Sequence, residues 1–161
     1  MWSSEVTNMI ITGIWETLYM TLVSTLVGYV IGLPMGIILT VSDKDGIKPN
    51  AVLYKILDVI ANIVRSVPFI ILLVLLIPFT RLVVGKSYGS TATIVPLTFA
   101  AAPYIARMVE SSLKEVDAGV IEAARSMGAS NFTIITKVML VEARTSLLVG
   151  ATITLGTILG Y

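Results

Sequence analysis

The chain has 161 residues, 56% of them hydrophobic and only 13% charged, with a mean hydropathy of +0.93 and a formal net charge of +1. A soluble domain carries about 25% charged residues, so this chain lacks the polar surface to cover itself in water; its unbroken apolar runs are also unlike the short alternating strands of a membrane barrel. Cys and His are absent, which removes thiol nucleophiles, His-based acid–base chemistry, disulfides and the commonest metal ligands.

The class read from this composition is an all-α, polytopic membrane protein with the lipid bilayer as its solvent. No catalytic residue, metal site, cofactor or nucleic-acid partner is expected. Residues 1–8 hold no Lys or Arg, so a cleavable signal with a basic start is not expected there. Thr17 to Ser42 then runs 26 residues without a charge, more than the roughly 20 needed to cross the hydrocarbon core. Gly28, Gly32 and Gly36 recur at every fourth position on one helical face, where small residues let a second helix approach closely. Pro34 is a candidate kink. Ser42 to Leu57 reads as the first loop, with turn signals at Asp45-Gly46 and Pro49-Asn50.

A second span is expected from about Val59 to Thr80, with Pro68 and Pro78 bending or opening it. Arg65 lies near its start, either snorkelling to the interface or pairing with Asp58. After a short loop from Arg81 to Tyr88, a third uncharged run covers Ser87 to Ala106. Pro96, Pro103 and several small residues give it the character of either a flexing, path-lining helix or a tightly packed central one. A fourth uncharged run extends from Thr145 to Tyr161.

Between the third and fourth runs lies the charged island. Ten of the 21 charged residues fall between Arg107 and Arg144, which reads as a large loop on one side of the membrane. Asp117 is placed to cap a helix, and Val120, Ile121, Ala124 and Met127 share one face of it. Gly128 is placed to end that helix in the left-handed conformation, and Ser130 to cap the next one, through Ile134, Ile135 and Val138. A helix of this kind beside a membrane either lies in the headgroup layer or docks against a protein. Its single Arg125, single Glu122 and paired small alanines favour docking slightly.

Glu122, Ala123, Ala124 and Gly128, followed by Val138 and Leu140, resemble the EAA loop of ABC importer permeases. Arg65–Thr80, Ile94–Glu110 and the closing GATITLGTILGY are similar to the methionine-type permeases within that family. The resemblance covers the chain from about Trp15 onward and departs at Val141, where the family has proline and where a softer bend is therefore expected. It implies one transmembrane domain over residues 13–161, with four membrane helices present and a fifth following Tyr161, so that the chain is expected to be C-terminally incomplete. It further implies that Glu122, Ala123, Ala124 and Gly128 belong to a coupling helix docking on a cytoplasmic ATP-binding subunit. An extracytoplasmic substrate-binding lipoprotein and a second permease copy are the other implied partners.

Orientation follows from Lys and Arg in the loops. With the N-terminus outside, the inner loops hold Lys44, Lys48 and Lys55, then Arg107, Lys114, Arg125, Lys137 and Arg144. The outer segments hold only Arg81 and Lys86. The island is thereby placed in the bacterial cytoplasm, at the plasma membrane. There is no GxxxxGK[ST] phosphate cradle, so ATP hydrolysis is expected on a partner subunit. The leading reading is an ABC importer permease for methionine or a related amino acid. A permease for another small polar solute, or a scaffold fragment, is the alternative. An intramembrane protease lacks its paired catalytic groups, and an ion-coupled carrier lacks ionisable residues at membrane depth. Substrate-contacting residues cannot be named from the sequence.

Overall fold

The computed structural model describes residues 4–161, and these are helical apart from short turns. The first helix, α1, runs Ser4–Ser42, or about 58 Å at 1.5 Å per residue. The uncharged run marked only its later part. Upstream, Met9 to Trp15 is apolar and continues the helix. Pro34 lies inside α1 without ending it.

The first loop is shorter than the sequence spacing implied. Asn50 caps α2 (Ala51–Ser66), its side-chain oxygen accepting the Leu53 N–H at 3.1 Å. The Pro49-Asn50 signal therefore marks a helix start as well as a turn. The second expected span is broken rather than straight. After α2 the chain turns by 104° at Val67–Pro68 into α3 (Phe69–Leu75). It breaks again at Leu76 before α4 (Ile77–Val84), which ends on Gly85 at φ 81°. Pro68 removes a backbone donor and disfavours helix at Val67, and Pro78 falls in the first turn of α4, where proline is tolerated.

The centre of the molecule is α5, Ser90–Lys114. Its Leu97, Ile105, Val109 and Leu113 form a core with Ala124, Ile134, Met139, Ala143 and Ile158. Pro96 and Pro103 are buried within it, which decides for the packed central helix. The helix runs two turns past Ala106, so Arg107, Glu110 and Lys114 belong to it rather than to a loop.

Then come α6 (Ala118–Ser126), α7 (Asn131–Thr133), a π-helical turn over Ile134–Met139, α8 (Leu140–Glu142) and α9 (Arg144–Leu159). The chain bends by 69° between the segment Asn131–Glu142 and α9. The bend is sharp although Val141 stands in place of proline. The π-helical turn just upstream and the break at Ala143 account for it, since π-turns are among the common causes of sharp kinks. Among the described residues, α1 and α5 are unbroken helices long and apolar enough to cross a membrane. Counting each bent pair as one span brings the number to four.

Candidate functional site

The loop between α5 and α9 is built by local rules. Asp117 Oδ1 accepts the Gly119 N–H at 2.7 Å and starts α6. At the other end Gly128 has φ 81°, a conformation open to glycine at no steric cost. Its N–H bonds the Arg125 carbonyl at 3.0 Å, and the Ala129 N–H bonds that of Ala124 at 3.1 Å. Those two bonds are the Schellman closure, which satisfies carbonyls that the helix leaves open. Ser130 Oγ accepts the Thr133 N–H at 3.2 Å and launches the next segment.

Only part of α6 is held by the body of the protein. Ala124 is 4% exposed, in the core with Ile134 and Met139. Ile121 packs half-buried against the same cluster. Arg125 donates from Nη2 to the Ile47 carbonyl at 3.3 Å, tying α6 to the first loop. Glu122, Ala123 and Gly128 are exposed. Val120 and Met127, placed by periodicity on the face of Ala124, stand out in solvent, with Met127 82% exposed. Phe132, beyond the turn, is 76% exposed. The apolar stripe is thus split: Ile121 and Ala124 seat the helix, while Val120 and Met127 face outward, as do Ala123 and Gly128 beside them. Behind α6 lies a cavity of about 530 Å³ lined by Asp43, Ile47, Lys114, Ile121, Arg125 and Met139, among others.

Next to this loop lies a charged network that the sequence did not single out. Glu110 is 4% exposed. It receives Arg107 Nη1 at 2.7 Å and Lys114 Nζ at 2.8 Å, and the Tyr54 hydroxyl at 3.2 Å. Arg107 also bonds the Asp58 carboxylate and Asn62. Lys114 reaches Asp43 at 2.6 Å, and its ammonium holds the Asp43 carboxyl below the usual carboxylate range. Each buried charge is therefore paired, as the cost of desolvation requires. The network ties the residue that follows α1 to the body of α2 and the end of α5. Its signal in the sequence is the i, i+3 and i+4 spacing of Arg107, Glu110 and Lys114, visible only once α5 is extended past Ala106.

The three spaced glycines face α5. A Cβ on Gly32 would lie 2.6 Å from the Ala102 carbonyl oxygen and 2.8 Å from Ile105 Cβ. One on Gly36 would lie 2.6 Å from both the Ala106 oxygen and Val109 Cβ, and one on Gly28 would lie 3.0 Å from Ala101 Cβ. Arg65 does not pair with Asp58, whose carboxylate is taken by Arg107. Its guanidinium instead lies 5.9 Å from the centre of the Tyr104 ring. Among the described residues no cluster of His, Cys, Asp and Glu is arranged to hold a metal.

The described residues form a helical membrane body that carries a half-seated surface helix, and the chain belongs to a family of transport-system membrane components. The model described as "Binding-protein-dependent transport system inner membrane component" matches residues 28–161. Among individual relatives, the D-methionine transport system permease protein MetI of Salmonella typhimurium is 55% identical over 153 residues, spanning 95% of this chain and 70% of the relative. Escherichia coli K12 MetI gives the same identity and coverage. Among solved structures, a chain of the MetNI methionine ABC transporter in inward-facing conformations matches with a TM-score of 0.97 and 53% identity, over 99% of this chain and 74% of that one. An amino acid ABC transporter solved with histidines shares the fold, at a TM-score of 0.76 and 23% identity over 97% of this chain and 70% of that one.

Proposed function

We infer that this chain is the membrane-spanning permease subunit of an ATP-binding cassette importer for methionine. It binds no nucleotide itself. A separate ATP-binding subunit docks on α6 and its flanking turns through Glu122, Ala123 and Gly128, with Ala124 anchoring the helix from behind. Two permease copies enclose the path, and an extracytoplasmic binding protein delivers the substrate. The N-terminus lies outside and the Asp117–Gly128 loop lies in the cytoplasm of a bacterial inner membrane.

The observation that carries this reading is the division of α6 into a buried and an exposed half. Ala124 and Ile121 fasten it to α5 and to the π-helical turn, while Glu122, Ala123 and Gly128 stay free for a partner. Force applied to the exposed half is passed to the core of α5 through packed side chains. A helix lying in the headgroup layer would instead carry several basic residues on its outer face, whereas α6 has Arg125 alone. Methionine as the substrate rests on the relatives' identity across nearly the whole chain.

Such transport needs two states with different contacts at the docked loop. Closure of the ATP-binding subunits would move α6, and the breaks at Pro68 and Ala143 are where the spans can yield. The test is affinity purification of the chain from its membrane, followed by identification of the proteins that come with it. An ATP-binding subunit that leaves when Glu122 is reversed in charge is the expected result. A chain that purifies without one, from membranes in which it is abundant, would overturn the reading.

A further inference from the structure

Arg65 is the unexplained cation of the membrane body. Arg107 and Lys114 are neutralised by carboxylates, whereas among the described residues Arg65 has no acidic partner and only the Tyr104 ring beside it. It stands in the last turn of α2, at the 104° break into α3, and lines a pocket of about 230 Å³. Phe69 and Leu72 of α3 wall that pocket together with Ala100, Tyr104 and Tyr161, whose ring stacks on that of Phe69 at 4.9 Å between centres. Ala100 and Tyr104 lie at mid-length of α5 (Ser90–Lys114), so the pocket sits deep in the span, farther from the cytoplasm than the Glu110 network. Arg65 is exposed on this chain, and at such depth, contrary to the expectation that charges stay at the span ends, it is costly and marks a pathway by default.

We propose that Arg65 and this pocket form a substrate-contact site that takes the carboxylate of an amino acid with an unbranched apolar side chain. The planar guanidinium suits two parallel bonds to a carboxylate. Leu72, Tyr104 and the edges of the stacked Phe69–Tyr161 pair offer aromatic and apolar surface to the side chain, and a thioether gains from contact with a ring edge. The C-terminal end of α2, negative by its peptide dipoles, meets the same break and suits the ammonium group. Because the site straddles the break between α2 and α3, a change in that angle would alter its grip on the ligand. The inference rests on the importer reading and adds where the substrate touches this chain.

The absence of cysteine makes a local test direct. Ala100→Cys is introduced into the permease, which is purified with its ATP-binding partner in lipid nanodiscs and labelled with an anionic thiol reagent. Methionine at about ten times its half-protecting concentration should slow labelling by about tenfold, the ratio that mass action sets for one occupied site. Methionine amide, which lacks the carboxylate, should leave the rate nearly unchanged. Arg65→Gln should abolish protection by methionine. Arg65→Lys, which keeps the charge without the fork, should preserve it at a higher half-protecting concentration. Equal protection in Arg65→Gln, or equal protection by the amide, would overturn the site. Methionine uptake by the unmodified complex separates the two ways of failing. Uptake without protection defeats this site alone, whereas no uptake defeats the importer reading and the site with it.

Discussion

At the scale of single residues, Gly32 and Asp43 carry the clearest consequences. Gly32 sits where any Cβ would press into the Ala102 carbonyl and Ile105, and backbone on a helix cannot step aside as a flexible side-chain tip can. Gly32→Leu should cost about 1–3 kcal/mol as overpacking. It should lower the yield of folded protein in detergent far more than Ile31→Leu, since Ile31 is 51% exposed. Equal yields and equal melting temperatures would show the close approach to be dispensable. Asp43 acts through charge. Its carboxyl is held below its ordinary value first by the hydrogen bond from Lys114, so its contribution is present above the unfolded-state pKa and disappears as pH falls through the lower folded-state value. Asp43→Asn should therefore reduce thermal stability at neutral pH and flatten its decline on acidification. An unchanged acid limb in the variant would remove Asp43 from the network's energetics.

At the scale of elements, α6 was legible almost to the residue while α2 to α4 were not. The start and stop of α6 are written in local chemistry: Asp117 caps one end and Gly128, at φ 81°, closes the other. Periodicity nevertheless assigned Val120 and Met127 to the seated face, and both are exposed. Spacing gives the side of a helix but not how far its neighbour extends over that side. The breaks at Val67–Pro68 and Leu76 followed from the prolines, yet a proline marks where a helix stops and not the 104° at which the chain continues beside α5. The Glu110 network was hidden for a similar reason. Charge density marked Arg107–Lys114 as loop, although paired charges on one face of a long helix are affordable next to α2 and the end of α1. For α6 itself, Glu122→Lys reverses an exposed charge that makes no side-chain hydrogen bond or ion pair among the described residues. It should leave membrane abundance and melting temperature unchanged while reducing recovery of the ATP-binding subunit by about tenfold or more, as loss of a charged contact at a close interface does. Full recovery of the partner would return α6 to the role of a surface linker.

At the scale of the whole molecule, α5 is the shaft to which the other elements are fastened. The glycine face of α1 lies along it, α6 and the π-helical turn pack at its charged end, and α9 crosses it near Gly150, whose added Cβ would meet Met108 Cε at 3.3 Å. That arrangement puts the α4–α5 turn and the α6 loop at opposite ends of α5, which in the proposed orientation are opposite sides of the membrane. Single cysteines tell the two sides apart in a chain that has none of its own. In intact cells an impermeant thiol reagent should label Tyr88→Cys and spare Ser130→Cys, which should react only after the membrane is opened. The reverse pattern would invert the topology and take the ATP-binding subunit off α6.

The central claim is that motion imposed on α6 drives methionine across this membrane body, and Gly128 is where that claim is most exposed. A β-branched residue in its left-handed conformation costs about 1–3 kcal/mol of backbone strain, applied at the turn that sets the angle of α6 and at no membrane-buried contact. The decisive measurement is ATP-dependent uptake of labelled methionine into proteoliposomes holding the purified complex, with the unaltered chain compared against Gly128→Val at equal permease content. Uptake by the unaltered complex and a loss of about tenfold or more in the variant are expected, as when strain of that size disfavours the turn conformation that docking needs. Undiminished uptake by Gly128→Val, or no ATP-dependent methionine uptake by the unaltered complex, would contradict that claim.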